Sequence, residues 1–434
     1  MKIEDEYRTY IEQHMVESKM SALEINNAII DSELNAGGNN YTHTLHIPKF
    51  FTQEDKKIFQ EIVSVTYAIF EKVIQAYRKD EKVRALFPFS QTLEDLILCQ
   101  PRYKEAIPIC RIDIFYNEET KDFHFCEFNT DGTAAMNENE RLNQIFSMHN
   151  ILQKDKRHYE FLELVQAWAK AFLSIAKEDP KVPDKPMIAI VDFLNHAYLN
   201  ELYVFQEVFK TYGCTCEVLD IHDLVYENHR LLSKHTKRPI DMIYRRAVTS
   251  DIMEDYANCQ AFIQAVQEDT VCLVGAFQTQ IVHHKEIMKV LFHPYLQKYF
   301  TEAQKTFIAK HCPATYELDD SLPIDLKDKD QWIIKPKDSY GAKGVWAGVD
   351  LDQKQWEKVV ADFKNKDYIV QSYISPYKTW NIDLARSDHF QRFTNMTGLY
   401  TFNGQFAGVY SRLSDSGIIS SQYNERTIPT LFVV

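Results

Sequence analysis

Four residues in two short runs carry the first chemical signal: Arg111-Ile-Asp113 and Glu127-Phe-Asn129. Side chains two apart on a strand point to the same face. A hairpin built from these runs brings all four together. Two carboxylates and an amide oxygen form a hard, oxygen-only donor set suited to Mg²⁺. Such a cation commonly also holds phosphate oxygens, and Arg111 beside it can neutralise a phosphate or an oxyanion. Ile112, Ile114, Phe125 and Phe128 are apolar, so the polar row is sharply bounded. The plain alternative is a solvent-facing strand pair with ordinary charges. In either case both carboxylates are expected at solvent-reachable positions.

The second signal is Lys335-Pro336-Lys337-Asp338-Ser339-Tyr340-Gly341-Ala342-Lys343-Gly344-Val345. A strand ends in a lysine, and a small-residue loop leads to the next strand. Backbone N–H groups in such a loop can cradle phosphates while the lysine neutralises them. The run is not GxxxxGK[ST] opening a helix, so it is not a Walker A loop. A plain hairpin with a glycine turn is the alternative. The chain has only 12 glycines in 434 residues, against a usual share of about 7%. Most of them follow residue 340, which marks backbone that must turn tightly or approach a ligand. The lysine–glycine loop and the Asp/Glu/Asn set are together the two halves of an ATP site.

The elements that position these residues follow from periodicity. Residues 1–50 read as helical, then irregular. Thr52 caps a helix from about 53 to 78, with Ile58, Ile62, Val65, Ile69 and Val73 at three- and four-residue spacing. Residues 105–131 read as the hairpin, and a helix is expected over 157–177. EDPKVPDKPM is the clearest boundary. Strands alternate with helices (198–212, 251–267) over 185–277, which predicts a small parallel α/β unit without GxGxxG. HHKEIMKVLFHPYLQKY reads as a further helix, 353–364 as another, and Asn403-Gly404 as a type I′ hairpin turn. Four parts result: a helical N-terminal region (1–100), the hairpin part (101–180), the parallel unit (185–277) and the lysine-loop part (278–434).

Composition narrows the class. Hydrophobic residues at 45% and charged residues at 26% are ordinary for a globular chain. The net charge of −13 disfavours a nucleic-acid partner. No apolar run approaches the ~20 residues that span a bilayer, so no membrane association is expected. Met1 to Arg8 is acidic and polar, unlike a secretory leader. The eight cysteines make no CxxC pair and several sit in apolar runs, which predicts reduced thiols and a cytoplasmic setting. Cys214 and Cys216 read as small residues at a strand start, with a redox pair as the alternative. His196 and the pair His283–His284 lack a matching ligand cluster. Glu201 reads as a solvent-facing helix residue, with an amine-facing role as the alternative.

With these motifs in place, the chain resembles the circularly permuted branch of the ATP-grasp superfamily typified by glutathionylspermidine synthase. The resemblance runs through RIDIF, EFNTDGT, NHAYLNE, MIYRR, HKEIMKVL, WIIKPKDSYGAKGV, YIVQSYI and GVYSRLSDSGIIS, over roughly residues 100 to 425. The hairpin precedes the lysine loop in the chain, which is that branch's order. The fold class implied is α/β (α+β): a permuted ATP-grasp core with a pre-ATP-grasp parallel domain. The activity implied is ATP-dependent carboxylate–amine ligation through an acyl phosphate, on a small-molecule amino acid or peptide and an amine, with ATP and Mg²⁺ as cofactors. By motif, Asp113, Glu127 and Asn129 hold magnesium and Arg111 contacts the transferred phosphoryl group. Lys285 and Lys335 meet the nucleotide phosphates, Ser339 belongs to the ATP-binding set, and Gly341 to Gly344 form a phosphate lid. Gln371, Ser372, Tyr373 and Ile374 form a hinge that reads adenine through the backbone. Arg412 stabilises the acyl phosphate or the tetrahedral intermediate; pairing with Asp415 on a surface strand is its plain alternative. The loop reads GAKG where the family often has GREG, and TDGTAAMNE follows Asn129 in place of a Ser/Thr-rich run. Glutathione and spermidine are therefore not implied. A small-molecule kinase and a silent nucleotide-binding protein are the competing readings. The sequence leaves the oligomeric state open.

Overall fold

Thr52 opens the longest helix. Its hydroxyl accepts from Asp55 N, and the Asp55 carboxylate accepts from Thr52 N, a capping box at the head of Gln53–Lys79. Ile62, Ile69, Phe70 and Val73 on this helix bury against Ile112, Ile114, Phe125 and Phe128. The apolar residues between the four polar ones therefore form the core side of the hairpin. Asp55 also ties the helix to that hairpin: Tyr116 Oη and Lys121 Nζ each donate to its Oδ1 at 2.6 Å. The computed structural model describes residues 3–37, 40–339, 341–420 and 425–434.

The hairpin strands Ile109–Tyr116 and Phe123–Asn129 lie at one side of an antiparallel sheet continued by Gln391–Phe402, Gln405–Ser414 and Arg426–Ile428. Its register places Arg111 opposite Asn129 and Asp113 opposite Glu127. On the other side Asp113 faces Gly398 and Arg111 faces Tyr400. Asn403 (φ 46°) and Gly404 (φ 77°) make the turn between Gln391–Phe402 and Gln405–Ser414. Both positions have the left-handed conformation a type I′ turn requires.

A second antiparallel sheet runs Thr315–Glu317, Tyr368–Ser372, Trp332–Pro336, Trp346–Ala347. Helix Gln353–Phe363 backs it, burying Trp356 and Val359 against Ile334 and Val370. A third sheet is wholly parallel: Cys272–Val274, Met242–Arg245, Met187–Asp192, Thr215–Asp220. Helices Leu164–Ala176 and Leu199–Thr211 cover it through Trp168, Phe172, Phe205 and Phe209.

The structure departs from the sequence reading at several points. No helix begins at 157. Arg157 pairs with Glu6 and Asp155, and Tyr159–Glu160 pairs as a strand with the C-terminal strand Thr430–Val433. The helix starts at Leu164, where the apolar period begins. The helix expected over 251–267 is broken between Glu254 and Gln260, where Asn258 Nδ2 donates to Asp255 Oδ1 in place of a helical continuation. The helix expected from His283 is three short turns. His284 is extended, and Pro294, which has no N–H, opens a new turn after His293. Lys49–Phe51 is an unforeseen strand, parallel to Thr430–Val433. All eight cysteines are free thiols. No helix among the described residues is long and apolar enough to cross a membrane.

Candidate active site

One cleft lies between the central sheet and the lysine-bearing sheet. Of the residues named from sequence, Arg111, Glu127, Asn129, Lys285, Lys335, Gly341, Arg412 and residues 371–374 line it. Asp113, Ser339 and Gly344 are not among its lining residues.

Asp113 is not solvent-reachable, contrary to expectation. It is fully buried, and Arg111 clamps it in a fork: Nε to Oδ1 at 2.7 Å, Nη2 to Oδ2 at 3.0 Å. The strand carrying it is covered on both sides, which the polar alternation did not reveal. Asn129 Nδ2 donates to Asp113 Oδ2 at 2.9 Å and to Glu127 Oε1 at 3.4 Å. One donor thus bridges the two carboxylates. The set fits a hard cation, with the Asn129 amide turned to offer Oδ1. Glu127 and Asn129 reach the cleft, and Asp113 supports them from below.

Glu127 stands among cations. Burial pushes its carboxyl up, but Lys285, Lys335, Arg111 and Arg412 outweigh this and hold it at about 2. Burial lowers the Lys285 ammonium, Glu127 opposes that, and Lys335 adds to it; the net shift is downward. Lys335 is aimed by Gln371, whose Oε1 accepts from Nζ at 2.8 Å while its Nε2 donates to Thr315 Oγ1 at 2.9 Å. Lys285 Nζ donates to Ser339 O at 2.5 Å, which ties the 280s segment to the glycine loop.

The residues expected to form an adenine hinge all line the cleft wall. The Gln371 backbone lies inside the sheet, paired to Ile333 and Thr315. The amides of Ser372 and Tyr373 are already bonded to the carbonyls of Ala314 and Gln331. Ile374 follows them on the same wall, and the Gln371 side chain is turned onto Lys335.

Arg412 is half-buried and its carboxylate partner is Glu425, with Nη1 to Oε2 at 3.0 Å. Its guanidinium stacks over Tyr410, 4.9 Å from the ring centroid, and Arg111 lies 5.4 Å from the same ring. Arg412 Nε, Ser420 Oγ and Ser339 Oγ are buried without a hydrogen-bond partner among the described residues. Unpaired buried donors are costly, and an anionic ligand would satisfy them.

Glu201 is not on the surface. It is fully buried, accepts from Asn137 N at 3.0 Å and pairs with Arg246 at 2.9 Å. His196 pairs with Asp251.

Sequence reasoning overlooked three features of the cleft. Phe125, Ile333, Val345, Met396 and Ile418 give it an apolar wall suited to a base. Ser420 joins it from the motif that carries Arg412. Gly398 is demanded by packing, since a Cβ there would lie 2.7 Å from Arg111 Cδ. Its place in the glycine-rich C-terminal part was the one available signal.

No family profile matches the chain, and no curated protein is significantly similar to it. Among solved structures it is similar to a glutathione synthetase-like effector from Globodera pallida in apo form, with TM-score 0.64 and 12% identity over 95% of this chain and 96% of that one. A putative gamma-glutamylcysteine synthetase from Methylobacillus flagellatus superposes with TM-score 0.43 and 10% identity over 84% and 87% of the two chains. The chain has the mixed α/β fold of the glutathione synthetase-like protein.

Proposed function

We propose that this chain is an ATP-dependent carboxylate–amine ligase of the permuted ATP-grasp type. The observation that carries the reading is the convergence, in one cleft, of Glu127 and Asn129 with Lys285, Lys335, Arg111 and Arg412. Carboxylates that can hold a cation face lysines that can hold phosphates, and two arginines stand beside them. The fold shared with a glutathione synthetase-like protein supports the same reading.

In this reading a substrate carboxylate oxygen attacks the γ-phosphorus, the bond to the β-phosphate oxygen breaks, and ADP leaves. The amine then attacks the acyl carbon and loses a proton, and phosphate leaves with the C–O bonding pair. Lys285 and Lys335 hold the nucleotide phosphates, and Gln371 keeps Lys335 on its heading. The apolar wall takes the base and Ile374 N reads its edge. Arg111, braced by Asp113, meets the phosphoryl group in flight. Arg412 meets the charge that develops on the acyl group, where a fixed donor is most effective. Glu127 and Asn129, backed by Asp113, would hold Mg²⁺, which supplies charge neutralisation of the phosphates when bound.

The test is ADP release from ATP and Mg²⁺ across a panel of amino acids and small peptides crossed with amines. A ligase releases ADP only when acid and amine are both present. With ¹⁸O in the acid's carboxylate, one label must appear in the released phosphate. ADP release with a hydroxyl acceptor, and no label transfer, would replace the ligase by a kinase.

A further inference from the structure

A second cluster of ligand-type side chains lies in the parallel sheet's region, outside the cleft. Thr215–Asp220 ends in Asp220, and a single 3₁₀ turn carries His222. Asp255 ends helix Thr249–Glu254, and Cys259 precedes helix Gln260–Gln267. One imidazole nitrogen, one carboxylate oxygen and the thiol sulfur of His222, Asp255 and Cys259 lie within 4.8 Å of one another. Asp255 and Cys259 stand at the two ends of one short connection between helices, and the fold brings His222 to them from another element.

The surroundings are those of a ligand set. His222 Nε2 lies 2.6 Å from Asp255 Oδ2, while its Nδ1 lies 2.6 Å from Asp220 Oδ1. A carboxylate behind the non-ligating nitrogen is the usual support of a metal-bound histidine, because it fixes the ring and its tautomer. The other Asp255 oxygen is held by Asn258 Nδ2 at 2.6 Å, so that carboxylate is oriented too. Cys259 sits at the N-cap of its helix with no side-chain cap bond; burial and the Asp255 and Asp220 carboxylates push its thiol up to about 12, so the cation itself must displace the thiol proton. Cys259 is 1% exposed, whereas the His222 and Asp255 side chains are 42% and 34% exposed. The sulfur is the innermost of the three donors.

We propose that His222, Asp255 and Cys259, with Asp220 behind the imidazole, form a three-ligand site for a zinc-class divalent cation. Nitrogen, oxygen and thiolate donors select zinc-like ions over Mg²⁺, which takes oxygen only. On binding, the thiol and the His222 Nε2 give up their protons to solvent, and the cation replaces the Nε2 to Asp255 hydrogen bond. The ion pins the end of Thr215–Asp220 to the start of helix Gln260–Gln267. This site is independent of the ligase reading and of the cleft.

The test uses the full chain, stripped with a chelator and titrated with Co²⁺ in excess Mg²⁺. The expected result is one equivalent bound with a thiolate-to-cobalt charge-transfer band, displaced by Zn²⁺, and a zinc-dependent rise in melting temperature. Cys259→Ala should lose the band. Asp220→Asn should weaken binding about 10- to 100-fold, the usual effect of losing such a support. His222→Gln, at a half-exposed position, should lose the thermal response to zinc; it serves as the decisive variant should Cys259→Ala not fold. No thiolate band at one equivalent, or a band undiminished in Cys259→Ala or His222→Gln, would overturn the proposal.

Discussion

Gly398 lies directly across the sheet from Asp113, and the space its missing side chain leaves is filled by the Arg111–Asp113 pair. A Cβ at 398 would come within 2.7 Å of Arg111 Cδ and 2.9 Å of Asp113 Oδ1. Gly398→Ala should displace the arginine and lower turnover by about 10²-fold, the scale of a 1 Å misplacement. Steady-state kinetics with matched circular dichroism checks this. Wild-type turnover would show that the Arg111 position is not critical.

The two carboxylates should separate in their variants. Asp113→Asn breaks a buried forked pair, which costs about 3–5 kcal/mol. Its denaturation midpoint should fall along with activity. Glu127→Gln should abolish Mg²⁺-dependent turnover with a smaller loss of stability, because Glu127 lines the cleft. Equal destabilisation in the two would contradict the layout described.

The two loop glycines should respond differently. Both have positive φ, 65° at Gly341 and 70° at Gly344. A Cβ at 341 meets nothing within 4 Å, but one at 344 lies 2.7 Å from Tyr368 Oη. Gly341→Ala therefore carries mainly the left-handed backbone cost of about 1–2 kcal/mol. Gly344→Ala must also push Tyr368 aside and should raise the ATP requirement more. Titration of initial rate against ATP for both variants decides it.

Arg412→Ala should lower the rate by about 10²–10³, the effect of losing one preorganised donor, with much less change in ATP affinity. The variant also strands Glu425. Adding Glu425→Gln should restore the melting temperature but not the rate. Recovery of both would make Arg412 a structural partner only.

ATP affinity should fall at alkaline pH sooner than an ordinary lysine would allow. Burial and Lys335 depress the Lys285 ammonium despite Glu127. Below its folded pKa the group is charged and binds phosphate; as pH rises through that value the charge is lost. ATP binding in that range should take up a proton, seen as a buffer-dependent enthalpy in calorimetry. Lys285→Gln should remove the buffer dependence. An unchanged uptake in Lys285→Gln would assign it to another group.

Which residues alternate and where the turns fall could be read from local sequence. The 111/113 and 127/129 spacing, Lys335 next to the last residue of Trp332–Pro336 and the Asn403–Gly404 turn are local properties, set by two-residue periodicity and by left-handed φ. The tertiary structure decided which side of each element is covered. Asp113 and Glu201 read as exposed because their neighbours in the chain allow it; Gln391–Phe402 and Arg246 bury them from far away in sequence. Register across sheets likewise put Gly398 under Arg111, turned Gln371 onto Lys335 and gave Glu425 to Arg412. His222 met Cys259 for the same reason. Long-range pairing depends on how sheets stack and strands align, and no local spacing encodes it.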